Sequence, residues 1–267
     1  LDEGVLSVSR YDADGSLTWL PLVHGQGKLT AENGFADQAE VLLKTRLAAD
    51  ALGATPMDRP EDMETNPVTG RIYAVMTKNK KRAQDKLNPA NTRPENLWGH
   101  IVEMIPPGGR GKDADHTAET YQWDLFVLAG NPKDPKSMAS FHPETSENGW
   151  FVCPDNITFD PAGRLWVATD GNNKKETGRS DGIWAIETEG DLRGTSKLFF
   201  RVPVGAEMCG PCFNPTSDTF FVAVQHPGDA GLPTFETPAT RWPDFKDNMP
   251  PRPSVVAITK SGGGKIA

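Results

Sequence analysis

Apolar and polar positions along the chain follow two rhythms, and the shorter one dominates. Ile72-Tyr73-Ala74-Val75, Leu165-Trp166-Val167-Ala168 and Phe220-Phe221-Val222-Ala223-Val224 are short runs, rich in β-branched and aromatic residues. Such side chains lie well on a pleated surface and crowd the turns of a helix, so the runs read as buried strands. Each follows a related segment ending in Asn-Pro or Asp-Pro, at Pro67, Pro161 and Pro215. Proline presets φ in the turn and the small or polar residues after it accept the rest, so each repeat reads as strand, tight turn, strand. Hairpins of one design repeated along a chain are the central pairs of β-propeller blades, with the entry strand lining the channel. Further strands are expected over 4–8, 99–105, 123–129, 182–186 and 254–258.

The longer rhythm occurs once. Over 30–54, Phe35, Ala39, Leu42, Leu43, Leu47, Ala51 and Leu52 recur at helical spacing, with Glu32 and Asp37 near the start and Gly53 as a stop. The dipole favours acids at a helix N-terminus and glycine closes the C-terminus, so one inserted helix is predicted, its apolar stripe packed on the core. The turn prolines at 67 and 161 are 94 residues apart, and those at 161 and 215 are 54 apart. A blade takes about 40 to 50 residues, so the first interval is expected to hold a further blade or large insertions. Segments 78–95, 131–150 and 227–253 are rich in Pro, Asn, Lys and Asp and read as loops over one face. The expected fold class is all-β: one partial propeller domain spanning 1–267, with a helical insertion near 30–54.

Charge narrows the partners. The formal net charge is −8, which repels a phosphate backbone. The basic run 78–82 has no aromatic residues interleaved to stack bases and reads as a solvated loop, so no nucleic-acid partner is expected. No apolar run approaches the roughly 18 to 20 residues of a membrane span. The chain opens at Leu1 on strand-like sequence. Upstream sequence, with any targeting peptide, is therefore expected to precede it.

Candidate chemistry comes from matched offsets. Glu61 and Asp155 each lie six residues before their turn proline, and Arg59 and Glu207 each lie eight before theirs. Both offsets are even, so on period-two strands the four side chains point to one side and would gather at the channel mouth. Singly, each acid fits a turn cap or an ordinary ion pair. Together, beside an arginine, they fit hard cations bound through oxygen. Such a centre suits hydrolysis of a phosphate ester or a lactone, and Arg59, able to pair bidentately with phosphoryl oxygens, favours phosphate. Cys209-Gly210-Pro211-Cys212 spells a dithiol redox motif, but that chemistry needs a helix at the first thiol, and Phe213-Asn214-Pro215 leads into a strand. A turn thiol pair or a disulfide is the expectation there. Cys153, beside Asp155, reads either as a soft ligand for iron or as a small buried filler. His226 reads either as a turn histidine or as a site residue. No serine-nucleophile elbow, phosphate loop or dinucleotide fingerprint is present.

With these residues in hand, the chain resembles the PhoX family of bacterial alkaline phosphatases over nearly its whole length. The likeness is carried by Glu3-Gly4-Val5-Leu6, Trp19-Leu20-Pro21-Leu22, Asp58-Arg59-Pro60-Glu61, Pro154-Asp155-Asn156-Ile157, Gln225-His226-Pro227-Gly228 and Arg241-Trp242-Pro243. The resemblance implies a six-bladed propeller, of which this is the later half, its N-terminal half missing. It implies a cluster of Fe3+ and Ca2+ at the channel mouth, a small phosphate monoester as substrate, and twin-arginine export to the periplasm or beyond. Glu61, Asp155 and Glu207 match the family's acidic metal-ligand positions, and Arg59 its phosphate-contacting arginine. The family's iron-binding cysteine belongs to the absent half, so the fragment alone is expected to hold an incomplete cluster. The alternatives are a calcium-dependent lactonase or phosphotriesterase-like propeller, and a non-catalytic propeller scaffold.

Overall fold

A computed structural model of the chain describes residues 3–171 and 177–267. It opens with a hairpin, β1 (Ser7–Tyr11) and β2 (Ser16–Pro21). After a helical segment come β3 (Pro60–Thr65), β4 (Ile72–Met76), β5 (His100–Ile105) and β6 (Thr120–Leu128), an antiparallel meander to whose outer strand β2 is attached. A second meander follows, β7 (Pro154–Phe159), β8 (Leu165–Thr169), β9 (Gly182–Ile186) and β10 (Ser196–Arg201). The third has β11 (Glu207–Phe213), β12 (Thr219–Gln225) and β13 (Ser254–Thr259). β7 packs against both β3 and β11, so the entry strands of the three meanders gather on one side and their later strands lie farther out. That is the arrangement of a propeller fragment.

The continuous apolar runs now have a reason. On β8, Leu165 and Val167 join the core against the first sheet, whereas Trp166 and Ala168 join the core against the third. Alternate residues face opposite sides of a sheet, so a strand buried on both faces needs no polar positions. Trp166 lies within 5.2 Å of both Phe213 and Phe220, ring centroid to ring centroid, tying the second sheet to the third. Burying each such side chain is worth about 1.5 to 3 kcal/mol. The third sheet is covered on one face only. Phe220, Val222 and Val224 are buried, but Phe221 and Val255 on the other side are exposed.

The turns work as their residues predict. Asp160 accepts from the backbone of Ala162 and Arg164 and from Trp166 Nε1, and Asn214 accepts from the backbone of Asp218 and Thr219. Asn66 does the same for Val68 and Thr69 while donating to Gly163 O at 2.9 Å, which links the first turn to the second.

Several expectations change. The inserted helix is two helices, α1 (Gln38–Leu43), capped by Asp37, and α2 (Thr45–Leu52), closed by Gly53 in the left-handed region. The break at Lys44 rotates their faces, so Phe35, Val41 and Ala48 are buried while Leu42, Leu43 and Leu47 are exposed. Of the two alternatives for the 94-residue interval, the structure has the large insertions: β4, β5 and β6 complete the first blade, β7 opens the second, long loops fill the remainder, and no additional blade intervenes. The run 78–82 is not simply solvated. Arg82 is buried and ion-paired with buried Asp58, while Lys78 donates to Asp170 O at 3.1 Å. Composition marks a loop; it does not reveal a partner 24 residues away along the chain. Cys209 and Cys212 lie within β11, flanking a register shift, and among the described residues no cysteine forms a disulfide.

Candidate active site

The site lies where β3, β7 and β11 begin and β4, β8 and β12 end. Arg59 immediately precedes Pro60, and Cys153 immediately precedes Pro154. Both take φ of 53°, a conformation that L residues avoid and that costs on the order of 1 kcal/mol or more. Their carbonyls are held alike, Arg59 O accepting from Thr77 N at 3.1 Å and Cys153 O from Asp170 N at 3.0 Å. The ladders are irregular just inside these entries, with register shifts between Pro60 and Asp62 and between Pro154 and Ile157. A bulge re-aims the side chains beside it, and here those are Glu61 and Asp155. In the third sheet Glu207 pairs with Gln225, and His226 follows at φ 35°. Thr77, Asp170 and His226 are thus equivalent exits of the second strands.

Arg59, Glu61, Asp155 and Glu207 meet, together with one carboxylate that the sequence offsets did not single out. Arg59 Nε is 2.5 Å from Glu61 Oε1, and its Nη2 is 3.8 Å from Asp170 Oδ2. The signal for Asp170 was available: it ends the second strand of its hairpin, as His226 does in the next repeat. Asp155 is only 6 % exposed, and no group among the described residues donates a hydrogen bond to its carboxylate. Burial pushes its pKa up to about 7, and the charges of Glu61, Asp170 and Glu207 add to that rise against the opposing effect of Arg59.

Glu207 is held on three sides. Cys209 Sγ donates to Oε1 at 3.0 Å, Gln225 Nε2 donates to Oε2 at 2.9 Å, and His226 Nε2 lies 3.1 Å from Oε2. Burial works against the charged form of His226, but the Glu207 hydrogen bond and the Gly205 carbonyl outweigh it and raise its pKa. Burial and the same Glu207 carboxylate push the Cys209 thiol up, so it stays a protonated donor. Cys153 is buried beneath the strand entry, its Sγ 3.4 Å from Leu97 O. Lys78, bonded to the Asp170 carbonyl, brings a second cation to the edge of the cluster. Outward from Asp170 and Glu207 runs a cleft of about 750 Å³ between the second and third sheets, reached also by Arg179, Arg201 and His226.

The donor set fits a hard cation in kind. Four carboxylates gather about Arg59, and the most buried of them has no hydrogen-bond donor among the described residues, an arrangement that an oxygen-seeking cation would neutralise. The set is open as it stands: among the described residues, no three His, Cys, Asp or Glu side chains close around one point as a metal site.

The family model described as alkaline phosphatase PhoX matches residues 1–228. The chain belongs to the PhoX family. Membership in this family of phosphatases, which are hydrolases, implies metal dependence. Among solved structures, the chain is similar to Pseudomonas fluorescens PhoX in complex with vanadate, a transition state analogue, at 37% sequence identity and a TM-score of 0.85. The match covers 99% of this chain and 46% of that one, so the chain spans about half the length of its PhoX relative. No curated protein matches. Among the described residues no helix is long and apolar enough to cross a membrane.

Proposed function

We propose that this chain carries one side of the active site of a metal-dependent phosphomonoesterase, an alkaline phosphatase that releases phosphate from small esters in the periplasm or outside the cell. The reading is supported most by one observation: among the described residues, buried Asp155 receives no hydrogen bond on its carboxylate, and it lies beside Glu61, Asp170, Glu207 and an arginine. Glu61, Asp155 and Glu207 are the proposed ligands, with Asp170 added, for Ca2+ and Fe3+. When bound, these ions supply Lewis-acid polarisation of the phosphoryl group and an activated oxygen nucleophile. The chain's own part is positioning. Arg59, half exposed and pinned through its Nε to Glu61, has its Nη2 only loosely paired with Asp170 at 3.8 Å, so its terminal nitrogens can turn to phosphoryl oxygens. His226 and Gln225 fix the Glu207 carboxylate, and the strained backbone at Arg59 and Cys153 aims both strand entries at one point.

In this reading the remaining blades and the iron-binding cysteine come from sequence corresponding to the rest of the longer relative, and twin-arginine export carries the complete protein out. The test is a chromogenic phosphate-ester assay on the complete protein with metal analysis, before and after removal of calcium and iron. Turnover should disappear with the metals. Arg59→Ala should raise KM for the phosphate monoester about tenfold or more, with no effect on a lactone, which has no phosphoryl oxygens to pair. Turnover unchanged by metal removal would sink the reading.

A further inference from the structure

The cleft beside the acidic cluster has two ends of opposite character. Its inner end is Asp170 and Glu207, where β8 stops and β11 starts. Its outer end carries Arg201, the last residue of the outermost strand β10, and Arg179, in the connection leading to β9. Arg179 is prearranged. Its guanidinium stacks 3.8 Å over Trp150, and its terminal nitrogens donate to Trp150 O at 3.1 Å and Glu147 O at 2.6 Å. Those acceptors are carbonyls, so these bonds orient the charge without themselves neutralising it. The Arg201 guanidinium makes no hydrogen bond or ion pair among the described residues.

The two cations feel each other. Burial, then the charge of Arg201, pulls Arg179 below its ordinary pKa. The described acids nearby are engaged elsewhere: Glu147, whose charge opposes part of that lowering, pairs with Lys133 at 2.8 Å, Asp229 lies 3.9 Å from His226 Nδ1, Asp181 accepts from Thr169 Oγ1 at 2.6 Å and from Gly171 N, and Asp170 faces Arg59. Two like charges on one cleft, whose nearby described carboxylates each serve another cation or donor, are unfavourable for the fold alone, and an oxyanion placed between them removes the repulsion.

We propose that Arg179 and Arg201 form a second anion subsite, which receives a second phosphoryl group carried on the leaving-group side of the ester. The inference rests on the phosphomonoesterase reading and deepens it by naming a substrate class, small bisphosphorylated esters such as sugar bisphosphates. Two guanidiniums match the dianionic charge of a phosphoryl group better than the single charge of a carboxylate. A volume of about 750 Å³ holds a molecule of that size.

The test compares wild type with Arg201→Gln in the complete, metal-loaded protein, using glucose 1,6-bisphosphate, glucose 6-phosphate and 3-phosphoglycerate. The loss of kcat/KM for the bisphosphate should exceed that for glucose 6-phosphate about tenfold, with 3-phosphoglycerate close to the latter. A second readout needs no turnover: inorganic pyrophosphate titrated against tryptophan emission, since Trp150 lies under Arg179, should bind more tightly than inorganic phosphate. Arg201→Gln should weaken pyrophosphate binding about tenfold. Equal losses for the three esters, or pyrophosphate binding indifferent to the variant, would overturn the subsite. A loss for 3-phosphoglycerate as large as for the bisphosphate would overturn its phosphoryl selectivity. Pyrophosphate binding that depends on Arg201 in a protein that hydrolyses none of the esters would retain the subsite and discard the phosphatase reading.

Discussion

Asp155 carries most of the site's electrostatic tension. Its pKa of about 7, against an ordinary 3.8, means that the folded chain holds this proton more tightly than the unfolded chain does. The sign follows: its contribution to stability is greatest at low pH and is drawn down as pH climbs from 3.8 towards about 7. Asp155→Asn should therefore stabilise the chain in chelator at pH 8, by about 2 kcal/mol, and leave it less responsive to added Ca2+. Denaturant melts of both proteins with and without the cation check this. A variant no more stable than wild type in chelator would mean that neither burial nor the neighbouring carboxylates penalise the Asp155 charge. The strained Arg59 belongs to the same scale: its φ is awkward, and what retains it is the Thr77 hydrogen bond and the ion pair to Glu61.

Among the elements, the loop between β4 and β5 matters most to the site, because it holds the residue next to Arg59. Asp58 is fully buried and accepts from Asn79, Arg82 and Asn96 side chains, while its own N–H donates to Asn91. His100, buried at the start of β5, lies against this network, its Nδ1 3.4 Å from Asn96 Nδ2. Burial, then the charge of Arg93, pulls its pKa down from 6.5 to about 4. Here the unfolded chain takes up the proton first, so stability present above pH 6.5 is lost as pH falls towards about 4. Thermal melts at pH 7 and pH 4.5 should show wild type losing about 2 to 3 kcal/mol more than His100→Gln. Equal acid sensitivity would place the titrating group elsewhere.

The molecule as a whole is left with uncovered surface. β13 pairs only with β12, and Val255 on its outer face is 73 % exposed, where a further blade would pack in a closed propeller. Leu43 and Leu47 on the two helices are exposed as well. Apolar faces and unpaired strand edges associate. The isolated chain should therefore show a molecular mass by light scattering that rises with concentration, and Val255→Lys should reduce that rise. A monodisperse monomer across the whole range would mean that these surfaces are inert.

Much of this architecture was legible in the sequence because its causes are local. Asn-Pro and Asp-Pro turns close through their own side chains, and runs such as Leu165 to Ala168 lack polar positions because both faces are covered; neither requires knowledge of distant residues. The even offsets of Arg59, Glu61, Asp155 and Glu207 from their turns rested on strand periodicity, which is local too. What folds from afar was not legible. The break at Lys44 that turns Leu43 outward, the burial of Arg82 against Asp58, the entry of Asp170 into the acidic cluster and the pairing of Arg179 with Arg201 across a cleft all depend on how sheets stack. Period and composition determine which residues become strands and turns, because those are energies between near neighbours. Tertiary structure alone decides which charges face one another, because Coulomb energy depends on distance in space and takes no account of separation along the chain.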